Sequence, residues 1–157
     1  MKLLIVESPA KAKTISKYLD GEYTVVASVG HIRDLPKSNK KAIDIEHGFT
    51  PHYETSKGKE KVVADIKKLA GKASEILLAT DPDREGEAIS WHIVEALKQK
   101  RALKDTPVER VTFNAITRDA VLDAMRITER RPKSGIYLRL NSSTMTSYWA
   151  FTYVLKR

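Results

Sequence analysis

Two hydrophobic periodicities alternate along most of the chain. Short apolar or β-branched runs of strand length occur at residues 3–6, 23–28, 75–79 and 108–113. Segments with apolar residues every three or four positions, as in amphipathic helices, occur at residues 8–21, 57–70, 85–97 and 114–127. This alternation predicts an α/β fold with a mainly parallel, four-stranded sheet flanked by helices and joined by right-handed crossovers.

Two stretches depart from the alternation. Residues 37–56 have no sustained period and are predicted to be a long irregular insertion or a short irregular hairpin. Residues 129–157 form a basic tail, which we expect either to pack on the domain as an added strand or helix or to bind single strands by stacking and phosphate contact. At 157 residues the chain is long enough for one full domain and too short for two.

Composition narrows the function. The net charge of +8 favours a polyanionic partner, but residues 1–128 carry 22 basic and 19 acidic residues against six and one in the tail. The absence of cysteine excludes disulfides and thiolate metal ligands. No leader or long apolar run is evident, so we expect no membrane association and a cytoplasmic location.

The acidic turn after the third apolar run is the strongest candidate for chemistry. Asp81 and Asp83 flank Pro82, which ends strand pairing, and Glu85 and Glu87 follow at a predicted helix start. Clustered carboxylates favour a hard cation such as Mg²⁺, which usually takes one or two carboxylates plus water and phosphate. A solvated acidic turn that only caps the helix is the competing interpretation.

Glu7 follows the first apolar run as Asp81 follows the third. The carboxyl ends of parallel strands share one sheet edge, so Glu7 can converge with Asp81 and Asp83. Ser8 is the predicted N-cap of the next helix, and Lys11 in its first turns suits a docked phosphate, although a solvated surface lysine is an equal alternative.

Other chemical signatures are weak. The four histidines, His31, His47, His52 and His92, lack the compact spacing of a metal site, and His31 beside Arg33 is the one of interest. No GxGxxG or P-loop pattern is present, so a nucleotide-binding function lacks its signature.

Three segments in order carry a resemblance to a known family: LIVESPAKAKTI at 4–15, SVGHIRDLP at 28–36 and ATDPDREGEA at 79–88. They resemble the N-terminal toprim domain of bacterial type IA DNA topoisomerases. The likeness extends through residues 58–60 and 111–117 and covers about residues 1–128. It implies a toprim fold, Mg²⁺ as cofactor and a single-stranded segment of supercoiled DNA as substrate.

The resemblance also implies roles for individual residues. Glu7 resembles the glutamate that assists proton transfer at the scissile phosphate. Asp81 and Asp83, together with Glu7, resemble the metal-binding carboxylates, and Glu85, in the same motif, is implied to bind the metal directly or through water. Positions implied to meet DNA or phosphate are Lys11, His31, Arg33 and Arg84, with Arg84 also expected to assist catalysis.

The family's nucleophile is not evident in this chain. In the family a tyrosine of a later domain attacks DNA, and none of the six tyrosines here stands in that pattern. The tail also differs from the family's continuation, through natural divergence or a junction introduced by cloning. We therefore expect the longer protein to be a monomeric, ATP-independent topoisomerase. We expect this fragment alone not to relax supercoiled DNA. A free-standing toprim nuclease or primase-like phosphotransferase, or a silent nucleic-acid-binding module, remain alternatives.

Overall fold

The structure is a computed structural model that describes residues 1–37, 42–44, 46, 48, 50–99, 103 and 106–129. Its strands are β1 (Lys2–Val6), β2 (Tyr23–Ala27), β3 (Arg33–Asp34), β4 (Ile43–Asp44), β5 (Thr50–Pro51), β6 (Glu54–Thr55), β7 (Glu75–Leu78) and β8 (Val108–Arg110). Its helices, within the same residues, are α1 (Pro9–Tyr18), α2 (Glu60–Ala70), α3 (Arg84–Lys98) and α4 (Arg118–Glu129).

The main sheet has the order β2-β1-β7-β8, with every neighbouring pair parallel. This confirms the predicted α/β class with a four-stranded parallel sheet. The two central strands, β1 and β7, lie side by side, so the segments that follow them leave the sheet at neighbouring points on its carboxyl edge. The topology therefore gives the acidic residues after both strands a common location.

Alternate residues of the central strands face two separate cores. Leu3, Ile5, Ile76 and Leu78 pack beneath α2 and α3 on one face. On the other face Leu4, Val6 and Leu77 pack beneath α1 and α4. All but Leu77 of these side chains are fully buried and Leu77 is 1% exposed, and each contributes about 1.5–3 kcal/mol relative to exposure. The continuous apolar runs reflect a sheet covered on both sides.

Helix boundaries follow local capping. Ser8 Oγ accepts from the amide of Lys11, which confirms Ser8 as the N-cap of α1, and Pro9 occupies the first helical position. Thr117 Oγ1 accepts from the amide of Ala120 at 3.3 Å and caps α4, which begins later than predicted. The turn at Gly58, where φ is +82°, delays the start of α2 to Glu60.

The last strand of the sheet is shorter than the pattern predicted. β8 ends at Arg110 rather than Phe113, because its partner β7 ends at Leu78, which pairs with Arg110. Within residues 37–56, the described parts contain the two-residue strands β4, β5 and β6. The predicted insertion otherwise includes undescribed residues, His47 among them, and the predicted tail beyond Glu129 lies outside the described residues. None of the described helices has the length and apolarity needed to span a membrane.

Candidate metal centre

Glu7 and Asp81 both pair with the ammonium group of Lys11 at the carboxyl edge of the sheet. Lys11, one turn into α1, forms ion pairs with both carboxylates, and its Nζ is 2.6 Å from Asp81 Oδ1. The Lys11 and Glu7 side chains are 20% and 15% exposed, whereas Asp81 is half exposed. The predicted convergence of the two acidic segments is therefore present, with an ammonium group between them.

The Lys11 ion pairs shift two pKa values. Partial burial lowers the pKa of Lys11, but its hydrogen bonds to Asp81 and Glu7 outweigh burial and hold it above its ordinary value. The hydrogen bond from Lys11, against the effect of burial, lowers the pKa of the Asp81 carboxyl. Both groups are therefore charged at neutral pH, and the cluster already contains one compensating positive charge.

Asp83 has a different partner from Asp81. Its backbone is extended, with φ of −107° and ψ of 178°, and its Oδ1 accepts from the Gly86 amide at 2.7 Å as the N-cap of α3. The sequence predicted that Asp81 and Asp83 share a cation, but in this structure only Asp81 pairs with Lys11. The capping interpretation thus describes Asp83, because the first amides of a helix need acceptors.

Gly86 brings the first turn of α3 close to the acidic turn. A Cβ atom at Gly86 would lie 1.9 Å from the carbonyl oxygen of Asp81, so no other residue fits without displacement. Thr80 supports the same contact from the core: its hydroxyl donates to the Gly86 carbonyl at 2.6 Å and bonds the Ser90 hydroxyl at 2.8 Å. The Asp81 backbone is therefore packed tightly against α3.

His31 and Glu85 close one side of the cluster. His31 Nε2 is 3.5 Å from Glu85 Oε1, which links the loop after β2 to the start of α3. That loop is anchored beside Glu7, whose carbonyl accepts from the Gly30 amide at 2.9 Å. Gly30 and Val29 both have positive φ, and Val29 is 42% exposed despite its β-branched side chain.

The two arginines predicted to meet phosphate occupy different environments. Arg84 is exposed at the start of α3, beside the acidic turn. Arg33 is only 8% exposed, donates to the Tyr53 carbonyl at 3.3 Å and lies over the Tyr53 ring, and burial lowers its pKa. Tyr53 in turn contacts His92, about 10 Å along α3 from Glu85 at 1.5 Å per residue. The structure therefore does not bring Arg33 to the acidic cluster.

Arg110 is a site residue that the sequence reasoning missed. Its guanidinium bonds the Glu87 carboxylate and the carbonyl oxygens of Leu78, Thr80 and Asp81. The available signal was indirect: Arg110 ends the strand next to β7, and Glu87 follows the acidic turn. The spacing between Glu87 and Arg110 in the sequence matches no known motif.

The residues present fit a two-carboxylate cation site. Glu7 Oε2 is buried and has no hydrogen-bond partner among the described residues, so one lone-pair-bearing oxygen remains available beside Lys11. Across the described part of the chain, no three His, Asp or Glu side chains group closely enough to hold a metal ion. Mg²⁺ commonly takes only one or two protein carboxylates and completes its shell with water and phosphate. Glu7 and Asp81 match that requirement.

Comparisons with known proteins identify relatives of this chain. The sequence profile of the toprim domain matches residues 2–116. The chain is 56% identical over 125 residues to DNA topoisomerase 1 of two strains of Xylella fastidiosa, Temecula1 and 9a5c, covering 79% of this chain and 15% of each relative. It superposes on full-length topoisomerase I from Thermotoga maritima with a TM-score of 0.67 at 47% identity, covering 79% of this chain and 20% of that one.

The match includes the segments that carry Glu7, Lys11 and Asp81, and it extends over well more than half of the chain. The chain spans only a small part of the length of these relatives. Its fold and the profile match are sufficient for one conclusion: the chain belongs to the toprim domain family.

Proposed function

We propose that the chain is the metal-binding toprim part of a type IA DNA topoisomerase, which breaks and rejoins one DNA strand. The reacting tyrosine would come from another domain of the longer protein. One observation carries the proposal: Glu7 and Asp81, from two neighbouring strands, hold a single positive charge at the carboxyl edge of the sheet. The identity to DNA topoisomerase 1 of Xylella fastidiosa supports it.

We infer that Mg²⁺ displaces the Lys11 ammonium from Glu7 and Asp81, weakly in the free chain and more strongly when a substrate phosphate completes its coordination. A bound Mg²⁺ would neutralise and orient the scissile phosphate. Lys11, released from the carboxylates, would then donate to a phosphate oxygen near the start of α1. Glu7, which is mostly buried and has one unpartnered oxygen, is suited to accept and return the proton of the ribose hydroxyl.

The remaining acids would support the site without sharing the cation directly. Asp83 fixes the first turn of α3, and Glu85 pairs with His31. Arg84 is exposed next to these residues and would contact the DNA backbone. We propose a single-stranded DNA segment as the substrate, because the flexible backbone of a single strand can adapt to an exposed turn at the sheet edge.

The other partners follow from the same proposal. The rest of a topoisomerase would pack beside this domain and bring its tyrosine to the phosphate held near Lys11. We propose a monomer acting on chromosomal DNA, and hence a cytoplasmic enzyme. The reaction exchanges one phosphodiester for another of similar energy, so it needs no ATP.

Relaxation of supercoiled DNA by a longer version of the gene tests the proposal. We expect the longer protein to relax DNA with Mg²⁺, and Glu7→Gln to reduce the rate by at least 100-fold, within the usual range for a proton-transfer group. The 157-residue chain should neither relax nor cleave DNA. Cleavage by this chain alone would instead support a free-standing nuclease, and no relaxation by the longer protein would contradict the proposal.

A further inference from the structure

Arg110 binds the backbone of the acidic turn directly. Its Nη1 lies 2.9 Å from the carbonyl oxygen of Leu78, 2.8 Å from that of Thr80 and 3.1 Å from that of Val111. Its Nη2 lies 2.9 Å from the carbonyl oxygen of Asp81. The guanidinium therefore contacts the chain on both sides of the point where β7 becomes the acidic turn.

Glu87 holds Arg110 in this orientation. Glu87 Oε1 accepts from Nε at 3.0 Å and from Nη2 at 2.7 Å. The Arg110 side chain is 12% exposed, so these contacts are largely shielded from water. All three guanidinium nitrogens of Arg110 are engaged, and a lysine, with one nitrogen, has too few donors to reproduce the set.

The acidic turn needs such a support. Beyond Leu78 the strand pairing with β8 ends, and Pro82 has no N–H to donate. Gly86 packs against the Asp81 backbone from the side of α3, and Arg110 bonds the Asp81 carbonyl as well. Both contacts are to the backbone of the residue whose carboxylate lies beside Lys11.

We propose that Arg110 is a positioning residue that fixes the backbone of residues 78–81 so that the Asp81 carboxylate meets its cation. Arg110 acts through the carbonyl groups and does not touch the cation site. The inference rests on the proposed function only in identifying that cation as Mg²⁺. The orientation of the turn is a property of the chain by itself.

Charge and position predict opposite results for Arg110. If Arg110 acted only as a nearby positive charge, its removal would strengthen the binding of a divalent cation at Asp81. If Arg110 positions the turn, its removal weakens the binding of the divalent cation. Replacement by lysine weakens it too, because lysine keeps the charge but has only one nitrogen to donate hydrogen bonds. The sign of the change therefore separates the two effects.

The test compares Arg110→Gln and Arg110→Lys with the unmodified 157-residue chain in Mg²⁺ titrations followed by backbone NMR. We expect both variants to bind Mg²⁺ at least fivefold more weakly. Arg126→Gln, which removes an exposed arginine on α4, is the matched control and should be unchanged. Unchanged or tighter binding in Arg110→Lys overturns the proposal, and this variant decides the matter if Arg110→Gln does not fold.

A second readout does not depend on metal. Without Mg²⁺, ¹⁵N relaxation should give amide order parameters for residues 80, 81 and 83 below about 0.6 in the variants and near 0.85 in the unmodified chain. Equal order parameters in all three proteins would refute the positioning role. If the turn loosens as expected but the unmodified chain binds no Mg²⁺, the proposed function fails and the positioning role stands.

Discussion

Lys11 Nζ lies 2.6 Å from Oδ1 of Asp81, a residue seventy positions further along the chain. The same ammonium pairs with Glu7, so one lysine connects the two central strands at their carboxyl ends. Lys11 thereby offsets the repulsion between two carboxylates that would otherwise face each other without a counter-charge. A divalent cation that binds these carboxylates must compete with Lys11.

Substitutions should show that Asp83 has a structural role and Asp81 a binding role. Asp83→Ala removes the N-cap of α3, and we expect it to lower the free energy of unfolding by about 1 kcal/mol. Asp83→Ser restores the cap and should recover most of this loss. Asp81→Asn, on a half-exposed side chain, should change the free energy of unfolding by less than about 0.5 kcal/mol.

Urea denaturation of the three variants measures these differences. A large loss in Asp81→Asn would mean that its pair with Lys11 is a main support of the fold. An unchanged midpoint in Asp83→Ala would mean that the cap contributes nothing to stability.

Gly86 should tolerate no side chain. Gly86→Ala places a methyl group against the Asp81 carbonyl, and we expect a loss of about 1–3 kcal/mol in the free energy of unfolding. Gly71→Ala is the matched control, because φ there is −64° and its new Cβ would be 3.5 Å from the nearest atom. Thermal melts compare the two variants, and equal melting temperatures would argue against close packing at Gly86.

Acid should destabilise the fold through His92. Burial, together with the nearby Arg33 and His31 and only partly opposed by Asp34, lowers the pKa of His92 from 6.5 to about 3. The unfolded chain therefore takes up a proton below pH 6.5 that the folded chain does not. Stability is complete above pH 6.5 and falls by at most about 1.4 kcal/mol per pH unit below it.

Urea midpoints between pH 7 and pH 5 measure this dependence, in a window above the ordinary titration of carboxylates. His92→Phe should flatten the curve, whereas His52→Gln, at an exposed position, should leave it unchanged. A His92→Phe curve as steep as that of the unmodified chain would contradict the assignment.

Single-stranded DNA should bind weakly and with a marked dependence on salt. Each lost phosphate contact lowers the log-log salt slope by about 0.7 on single strands, so Lys11→Ala and Arg84→Ala should each reduce it by that amount. Lys68→Ala, in the last turn of α2, is the matched control and should leave the slope unchanged. Fluorescence anisotropy at several salt concentrations gives the slopes.

The basic tail is the competing DNA site. Deletion should begin at residue 130, because Glu129 accepts from Lys2 and Tyr23 and belongs to the folded domain. Binding that survives this deletion and still depends on Lys11 supports a phosphate site beside the acidic cluster. Loss of all binding on deletion, with no effect of Lys11→Ala in the full chain, would place DNA on the tail.

Sequence patterns predicted the fold and the meeting of the two acidic segments. Continuous apolar runs and alternating helices require a covered parallel sheet, and a parallel sheet brings Glu7 and Asp81 to one edge. The N-cap Ser8 could be predicted because capping is a local interaction. The role of Asp83 was predicted only as an alternative, since the same carboxylate can cap a helix or bind a cation.

Other features depended on packing that the sequence does not display. Arg33 lies in a motif expected to meet DNA, yet its side chain is buried over Tyr53. Arg110 lies 29 residues from Asp81, and only the pairing of β7 with β8 brings them together. Helix α2 begins at Glu60 rather than at residue 57 as predicted, because the chain first forms a turn at Gly58.

The central claim is that Glu7 and Asp81 form a cation site that Lys11 occupies in the absence of metal. Mg²⁺ titration by backbone NMR, comparing the unmodified chain with Lys11→Met and Lys13→Met, tests it most directly. Lys13 is an exposed lysine on the same helix, so its variant removes an equal charge without removing the competitor.

We expect Mg²⁺ to shift amides near residues 7 and 81–87 first, and Lys11→Met to bind Mg²⁺ about tenfold more tightly, a change of about 1.4 kcal/mol. Lys13→Met should differ little from the unmodified chain. Equal affinities in the two lysine variants, or shifts confined to Asp44 and Glu46, would contradict the claim.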